Sequence, residues 1–364
     1  MHFQKIQAFF NARRERGQDL VMATVIATEG STYSKSGERM LIDDNGIFQG
    51  MLSGGCLEGD LAIRAQQVLE SGKPDVVAYN LADDDELWGL GVGCDGMMRV
   101  LLQPLSAATD YQPFARLAEL AVSRSQSAAA LVVASTVDGL RAGASCLVHG
   151  DDVSLSGSIG RHAGLLQEHC GKIMKTRFAG IERHRVAGKH ADVFYATIEP
   201  VPRLLVLGAG LDAEPLVRIA AELGWLCTVS DHRPAYVESN SFDGAEAVVC
   251  CPADEVSATL SLDDFDLAIV MSHHLSSDRS YLRQLATTSV PYIGLLGPPG
   301  RRERLVAELG DEGGKLDGRL HGPAGLDLGG RGPAAIALSI TAEMQQALSR
   351  VGIRPGNSRT GSNE

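Results

Sequence analysis

The apolar positions of this chain follow two patterns in succession. Short strands separated by turns fill the first part, and strands alternating with helices fill the second. In residues 1–20, Phe3, Ile6 and Phe10 share one helical face with charge behind them, which predicts an amphipathic opening helix. Leu20 to Thr28 (LVMATVIAT) is apolar and β-branched, a buried strand by length and composition. A Gly/Ser-rich loop leads to a short strand near Met40 to Ile42. A tight turn over Asp43-Asp44-Asn45-Gly46 returns it as a strand over Ile47 to Leu52. Leu61, Ala65 and Val68/Leu69 have helical spacing, and Gly72 stops that helix. VVAYNL and MMRVLLQPL read as strands, and residues 113–125 suggest a helix. From Ala128 to about Ile159 short strands are broken at Asp138-Gly139 and Gly150-Asp151-Asp152. Residues 165–199 are ambiguous up to a strand near Val193 to Ile198.

Glu199-Pro200-Val201-Pro202 is a stiff, donor-poor break. Beyond it come RLLVLGAG, AEPLVRIAAELG, LCTVSD, AEAVVCC, DLAIVMS, DRSYLRQLATT, VPYIGLLG, RRERLVAELG and PAAIALSITAEMQQAL, an alternation of strands and helices with Pro333 opening the last helix. Alternation of this kind means a parallel sheet covered on both faces. The expected fold class is therefore α/β: a C-terminal Rossmann-like doubly wound sheet over 204–350, joined by a linker at 200–203 to an N-terminal α+β domain over 1–199. The tail, 351–364, ends in RPGNSRTGSNE and is expected to be disordered.

Composition narrows the function. The 364 residues are 44% hydrophobic, which excludes a mainly disordered chain. The formal charge of −12 argues against a nucleic-acid partner, because neutralising phosphates needs a basic surface. No run of 18 apolar residues predicts a membrane span, and the first helix is not a secretory segment. The seven cysteines form no C-x-x-C pair, so reduced thiols and a cytoplasmic location are expected. His184 and His190 lie too far apart for one helical face and face no cysteine pair, so no structural zinc site is expected. Glycine is in excess, 41 of 364 residues or about 11%, against about 7% on average.

The glycines cluster. Gly208-Ala209-Gly210-Leu211-Asp212-Ala213 follows an apolar strand and opens an amphipathic helix, the context of a dinucleotide turn. Gly208 would permit the tight turn and Gly210 the approach of a pyrophosphate, while Asp231, ending the next strand, would take ribose hydroxyls. The fold follows from this pattern without the ligand following from it. Ser53-Gly54-Gly55-Cys56-Leu57-Glu58-Gly59 sets a thiol at a helix entry, where backbone N–H groups and the helix dipole favour a thiolate nucleophile or metal ligand. A small buried cysteine in a tight turn is the alternative. Gly89-Leu90-Gly91-Val92-Gly93-Cys94-Asp95-Gly96 repeats the arrangement after an acidic run. His273 and His274 close DLAIVMS at the carboxyl edge of the sheet, where ligands bind or where a structural histidine sits. Arg301 and Arg302, after Gly294 to Gly300, are candidates for phosphate or carboxylate.

Taken together, ATVIATEGSTYSKSGERMLI, SGGCLEGDL, WGLGVGCDG, RLLVLGAG with DHRP downstream, VMSHHLSSD, YIGLLG and HGPAGLDLGG ahead of the last helix span almost the whole chain. In order and spacing they resemble the XdhC/CoxI family, the accessory proteins of xanthine dehydrogenase and related molybdenum hydroxylases. The resemblance implies a chaperone that binds the molybdenum cofactor (molybdopterin), protects it, and hands it in sulfurated form to the apo-hydroxylase, with a cysteine desulfurase as sulfur source and a homodimer as assembly. Cys56 and Cys94 fall on the family's two glycine-flanked cysteines, where soft thiolates suit molybdenum, and Glu58 falls on its acidic position. Gly54 and Gly55 supply backbone access to a pterin, and His273 with Asp278 falls on a T-H-x-x-x-x-D pattern. The chain departs from the family at Leu211, at Pro298-Pro299, and at Gly332 and Ala335. A runner-up function is an NAD(P)-dependent oxidoreductase, with Gly208, Gly210 and Asp231 on the nucleotide and His273 as acid/base. A third is a scaffold that only docks the hydroxylase.

Overall fold

The computed structural model describes residues 3–80, 96–239 and 241–351. Cys94 with Gly89, Gly91 and Gly93, the acidic run Asp83–Glu86 and the tail beyond Val351 lie outside them. The chain divides between Pro200 and Val201 into two compact units.

The first unit runs α1 (Phe3–Arg14), β1 (Leu20–Glu29), β2 (Arg39–Asp43), β3 (Phe48–Gln49), α2 (Glu58–Ser71), β4 (Asp75–Asn80), β5 (Met97–Leu105), α3 (Phe114–Ala121), β6 (Ser127–Ser135), β7 (Ser145–His149), β8 (Asp152–Ser156), α4 (Ala163–Thr176), β9 (Ala179–Val186) and β10 (Lys189–Ile198). Its strands form two five-stranded antiparallel sheets, ordered β3-β2-β1-β5-β4 and β8-β7-β6-β10-β9. The two-residue period decides which core each side chain joins. On β1, Leu20, Met22 and Ile26 enter a core shared by both sheets with α1 and α3. Val21, Ala23 and Val25 face a separate core under α2. On β10, Phe194, Ala196 and Ile198 join the shared core, while Ala191, Val193 and Tyr195 pack toward α4.

Two expectations need correction here. The strand expected over Ile47 to Leu52 pairs with β2 only at Phe48 and Gln49. At Gly50, with φ of 106°, an added Cβ would lie 2.8 Å from the Met40 backbone, and the chain peels away there to make the loop that carries Cys56. The ambiguous stretch is α4 followed by the β9–β10 hairpin. α4 buries Leu166, Cys170 and Ile173 at helical spacing, but Gly164 and Gly171 dilute that signal, and β9 is an edge strand with few buried residues.

The second unit runs β11 (Arg203–Leu207), α5 (Ala213–Glu222), β12 (Leu226–Asp231), α6 (Pro234–Ser239), β13 (Ala245–Cys250), α7 (Val256–Thr259), β14 (Leu267–Val270), α8 (Leu275–Leu285), β15 (Tyr292–Leu295), α9 (Pro299–Leu309), α10 (Asp311–Gly314), β16 (Leu320–His321) and α11 (Pro333–Val351). Its six strands are parallel, in the order β13-β12-β11-β14-β15-β16. Leu204 and Val206 of β11 face a core with α5 and α11, and Leu205 and Leu207 face a core with α7, α8 and α9. This is a doubly wound, Rossmann-like sheet whose order reverses between β11 and β14.

Candidate functional site

In the first unit, the loop from Met51 to Leu57 is tied down from beneath. Leu52 and Leu57 are buried anchors. Just after Leu57, Glu58 at the start of α2 is only 2% exposed and accepts four hydrogen bonds. Its Oε1 receives the N–H groups of Leu52 and Ser53, each at 2.8 Å. Its Oε2 receives the Ser53 hydroxyl at 2.5 Å and the Gly55 N–H at 3.0 Å. The Ser53 hydroxyl oxygen in turn accepts the Leu57 N–H at 2.7 Å. Burial alone would raise the Glu58 carboxyl, but the Ser53 side chain and the backbone donors outweigh it and hold it below its ordinary value. Glu58 thus clamps the loop from beneath.

What the clamp presents is Cys56, a free and half-buried thiol. A Cβ at Gly55 or Gly59 would meet nothing within 4 Å, so open space flanks the sulfur's loop on both sides. The Tyr33 ring, 61% exposed, lies 3.6 Å from where a Gly54 Cβ would be, and Met51 is half exposed. Ser34 holds the two loops together by donating to the Met51 carbonyl at 3.4 Å. The site is a thiol on a fixed turn, with the exposed Tyr33 ring against Gly54 of the same turn.

In the second unit, the loop after β11 and the loop after β14 meet where the strand order reverses. His273 Nε2 and Asp212 Oδ2 are 2.7 Å apart, joining the two loops. His273 is largely exposed and sits at φ of 60°, a strained left-handed conformation for a histidine. Gly208, at φ of 129°, lies so close to β14 that an added Cβ would be 2.6 Å from the Met271 carbonyl group. Gly208→Ala is therefore expected to cost about 2–3 kcal/mol from strain and overlap. An unchanged unfolding midpoint in denaturant would show the contact to be soft. At Gly210 an added Cβ would meet Asp212 Oδ1 at 2.5 Å, so the missing side chain makes room for that carboxylate.

The ribose role expected of Asp231 is not what the structure displays. Asp231 is fully buried; it accepts the Ala209 N–H at 2.7 Å and the Arg233 guanidinium through both oxygens, at 2.9 and 2.7 Å. Burial alone would raise it, yet Arg233 and the Ala209 and Arg233 amides hold it below its ordinary value. It braces the glycine turn from inside. Arg301, expected to meet a ligand anion, is likewise engaged by buried Asp278, at 3.0 and 2.5 Å, and Asp278 also accepts the Ser272 hydroxyl at 2.5 Å. His274 turns toward Ser276 and Ser277 of its own helix, at 3.0 and 3.1 Å.

Two sequence profiles match this chain. That of the XdhC Rossmann domain covers residues 204–344 and that of the XdhC and CoxI family residues 13–80, together more than half of the protein. The chain belongs to the XdhC/CoxI family. A Bacillus subtilis (strain 168) protein, described as a probable xanthine dehydrogenase subunit, is 28% identical over 353 residues, 94% of this chain and 97% of that protein. The Escherichia coli (strain K12) molybdenum cofactor insertion chaperone PaoD is 20% identical, over 90% of this chain and 83% of its own. A crystal structure of a xanthine dehydrogenase from Bacillus halodurans superposes with a TM-score of 0.74 and 29% identity, covering 94% of this chain and 95% of that one.

Within this XdhC/CoxI chain, the structure brings Gly54, Gly55, Cys56 and Glu58 into one loop, and Gly208, Gly210, Asp231 and His273 around one strand reversal. Tyr33 against Gly54 and Met51 at the start of the loop were missed, because aromatic and methionine positions in a loop carry no period. The Asp231–Arg233 clamp had a signal in the i, i+2 spacing of DHRP, and the Asp212–His273 pair had none. Among the described residues, no helix is long and apolar enough to cross a membrane.

Proposed function

We propose that this protein is a molybdenum cofactor chaperone for a xanthine dehydrogenase-type hydroxylase, binding the cofactor, supporting its sulfuration and delivering it to the apo-enzyme. The observation that supports this most directly is the half-buried Cys56 thiol on a clamped turn with open space at Gly55 and Gly59. Those residues fit the cargo: a soft sulfur donor for a molybdenum–sulfur centre, and against Gly54 of the same turn an exposed Tyr33 face suited to a flat pterin. Cys94, the family's second glycine-flanked cysteine, is proposed to share the task. Sulfuration fits the same thiol. The Cys56 thiolate attacks the outer sulfur of a desulfurase persulfide, that sulfur transfers, and the donor cysteine leaves as thiolate. Family membership and the relative named as an insertion chaperone support the cargo and the hydroxylase partner. The cysteine desulfurase, the homodimer and a cytoplasmic location belong to the same proposal.

Two features of the second unit weigh against the oxidoreductase alternative: Asp231 is engaged internally, and Asp212 sets a carboxylate in the phosphate turn. The test is molybdenum and pterin analysis of the protein purified from cells that make the cofactor. The parent is expected to retain both in equal amounts, and Cys56→Ser to retain at least tenfold less, with Cys94→Ser measured alongside. Equal retention in parent and variants would overturn the thiol site.

A further inference from the structure

On the outer side of the second sheet, α4 and the edge strand β9 bring together three side chains that lie apart in sequence. Glu182 and His184 are two residues apart on β9 and therefore share a face. That face turns toward α4, since Val186, next in the same series, packs against the core containing Cys170 and Ile173. His169 comes from α4, one residue before buried Cys170. His169 Nε2 stands 2.5 Å from Glu182 Oε2, and one ligand atom from each of the three residues lies within 4.8 Å of the others. All three are half-buried.

We propose that His169, Glu182 and His184 form a zinc site that pins the edge strand β9 to α4. Two imidazoles and one carboxylate are the three-ligand set of an open tetrahedral Zn²⁺ site, with the fourth position left to water. On such an ion the His169 and Glu182 donors stand about 3.3 Å apart, so the pair has to open by less than 1 Å from its metal-free hydrogen bond. The surroundings supply what a zinc histidine needs beyond the ligands themselves. Fully buried Tyr195 places its hydroxyl 2.9 Å from His184 Nε2. With Nε2–H donating to the Tyr195 oxygen, Nδ1 of His184 is left for the metal, the usual outer contact of a ligating imidazole. The Tyr195 ring also packs on His169 at 4.6 Å between centroids and so limits its rotation. The spacing of histidines along the chain hid this site because its ligands come from a helix and a hairpin strand.

The site is independent of Cys56, and the test keeps the two apart. The metal-stripped full-length chain is titrated with Zn²⁺ in a Cys56→Ser, Cys94→Ser background, against a chromogenic chelator. One equivalent is expected to bind; His169→Ala and His184→Ala should each weaken it at least 100-fold, and Tyr195→Phe, which keeps the ligands, 10- to 100-fold. Co²⁺ in the same Cys56→Ser, Cys94→Ser background should show visible d–d bands that His184→Ala removes, without the near-ultraviolet thiolate charge-transfer band of a cysteine site. Zn²⁺ should raise the thermal midpoint of the background chain and leave that of its His169→Ala, His184→Ala form unchanged. No zinc bound, or equal binding after loss of both histidines, overturns the site. A Co²⁺ spectrum that carries only thiolate bands does the same.

Discussion

Asp231→Ala is expected to destabilise the second unit by about 2–4 kcal/mol, because it removes the buried carboxylate that accepts from the half-buried Arg233 guanidinium and from the Ala209 amide. The substitution strands the Arg233 guanidinium and the Ala209 N–H, both of which now end on the Asp231 carboxylate. Asp231→Asn keeps the volume but puts an amide against one of these donors, and should cost about half as much. Trp225 is fully buried in this unit, so its fluorescence in a Trp88→Phe background follows the unfolding. The effect must be present without any added nucleotide. If Asp231→Ala unfolds at the parent's denaturant concentration, the carboxylate is not a brace and the ribose role returns.

Glu58→Ala is the second large effect, about 3 kcal/mol, concentrated in the Cys56 loop. Three backbone N–H groups and the Ser53 hydroxyl lose their acceptor, at about 1–3 kcal/mol for each donor left buried and unmet, with water relieving those near the open side. The amides of Leu52, Ser53 and Gly55 should lose protection from hydrogen exchange, and Cys56 should alkylate faster. Unchanged exchange at these three amides would refute the clamp. The pH dependence has a definite sign. The folded carboxyl sits below its ordinary value of 4.5, so its stabilisation is complete above that pH and is lost as pH falls through the lower folded value. Glu58→Ala should flatten the acid limb of the stability curve below pH 4.5. Asp231, lowered in the same way from 3.8, adds to that limb in the second unit.

Much of this molecule was legible before its coordinates. β11, β12, β14 and β15 were visible because parallel strands buried on both faces are mostly apolar along their length. β1 and β5 were legible for a related reason, since both their faces are buried against separate cores. Of the edge strands, β4 and β13 were legible, and β3, β9 and β16 were not. β3 shrank to two residues and β9 went unseen, because an edge strand needs few apolar residues and its partners are set by what lies alongside.

The sequence by itself determined the family, the doubly wound second unit and the glycine turns that had to lie at strand ends and helix starts. Local spacing carries that information, because backbone conformation and burial period act over a few residues. Only the tertiary structure decided what the charged residues in those turns do. Glu58, Asp231 and Asp278 stood at positions where an acidic group could meet a ligand, and each is instead buried against donors of its own protein. The same packing left Cys56 half-buried, set Tyr33 against Gly54, and gathered His169, Glu182 and His184 from two elements. A carboxylate's role depends on which donors surround it in space, and that neighbourhood is assembled by contacts between residues far apart along the chain.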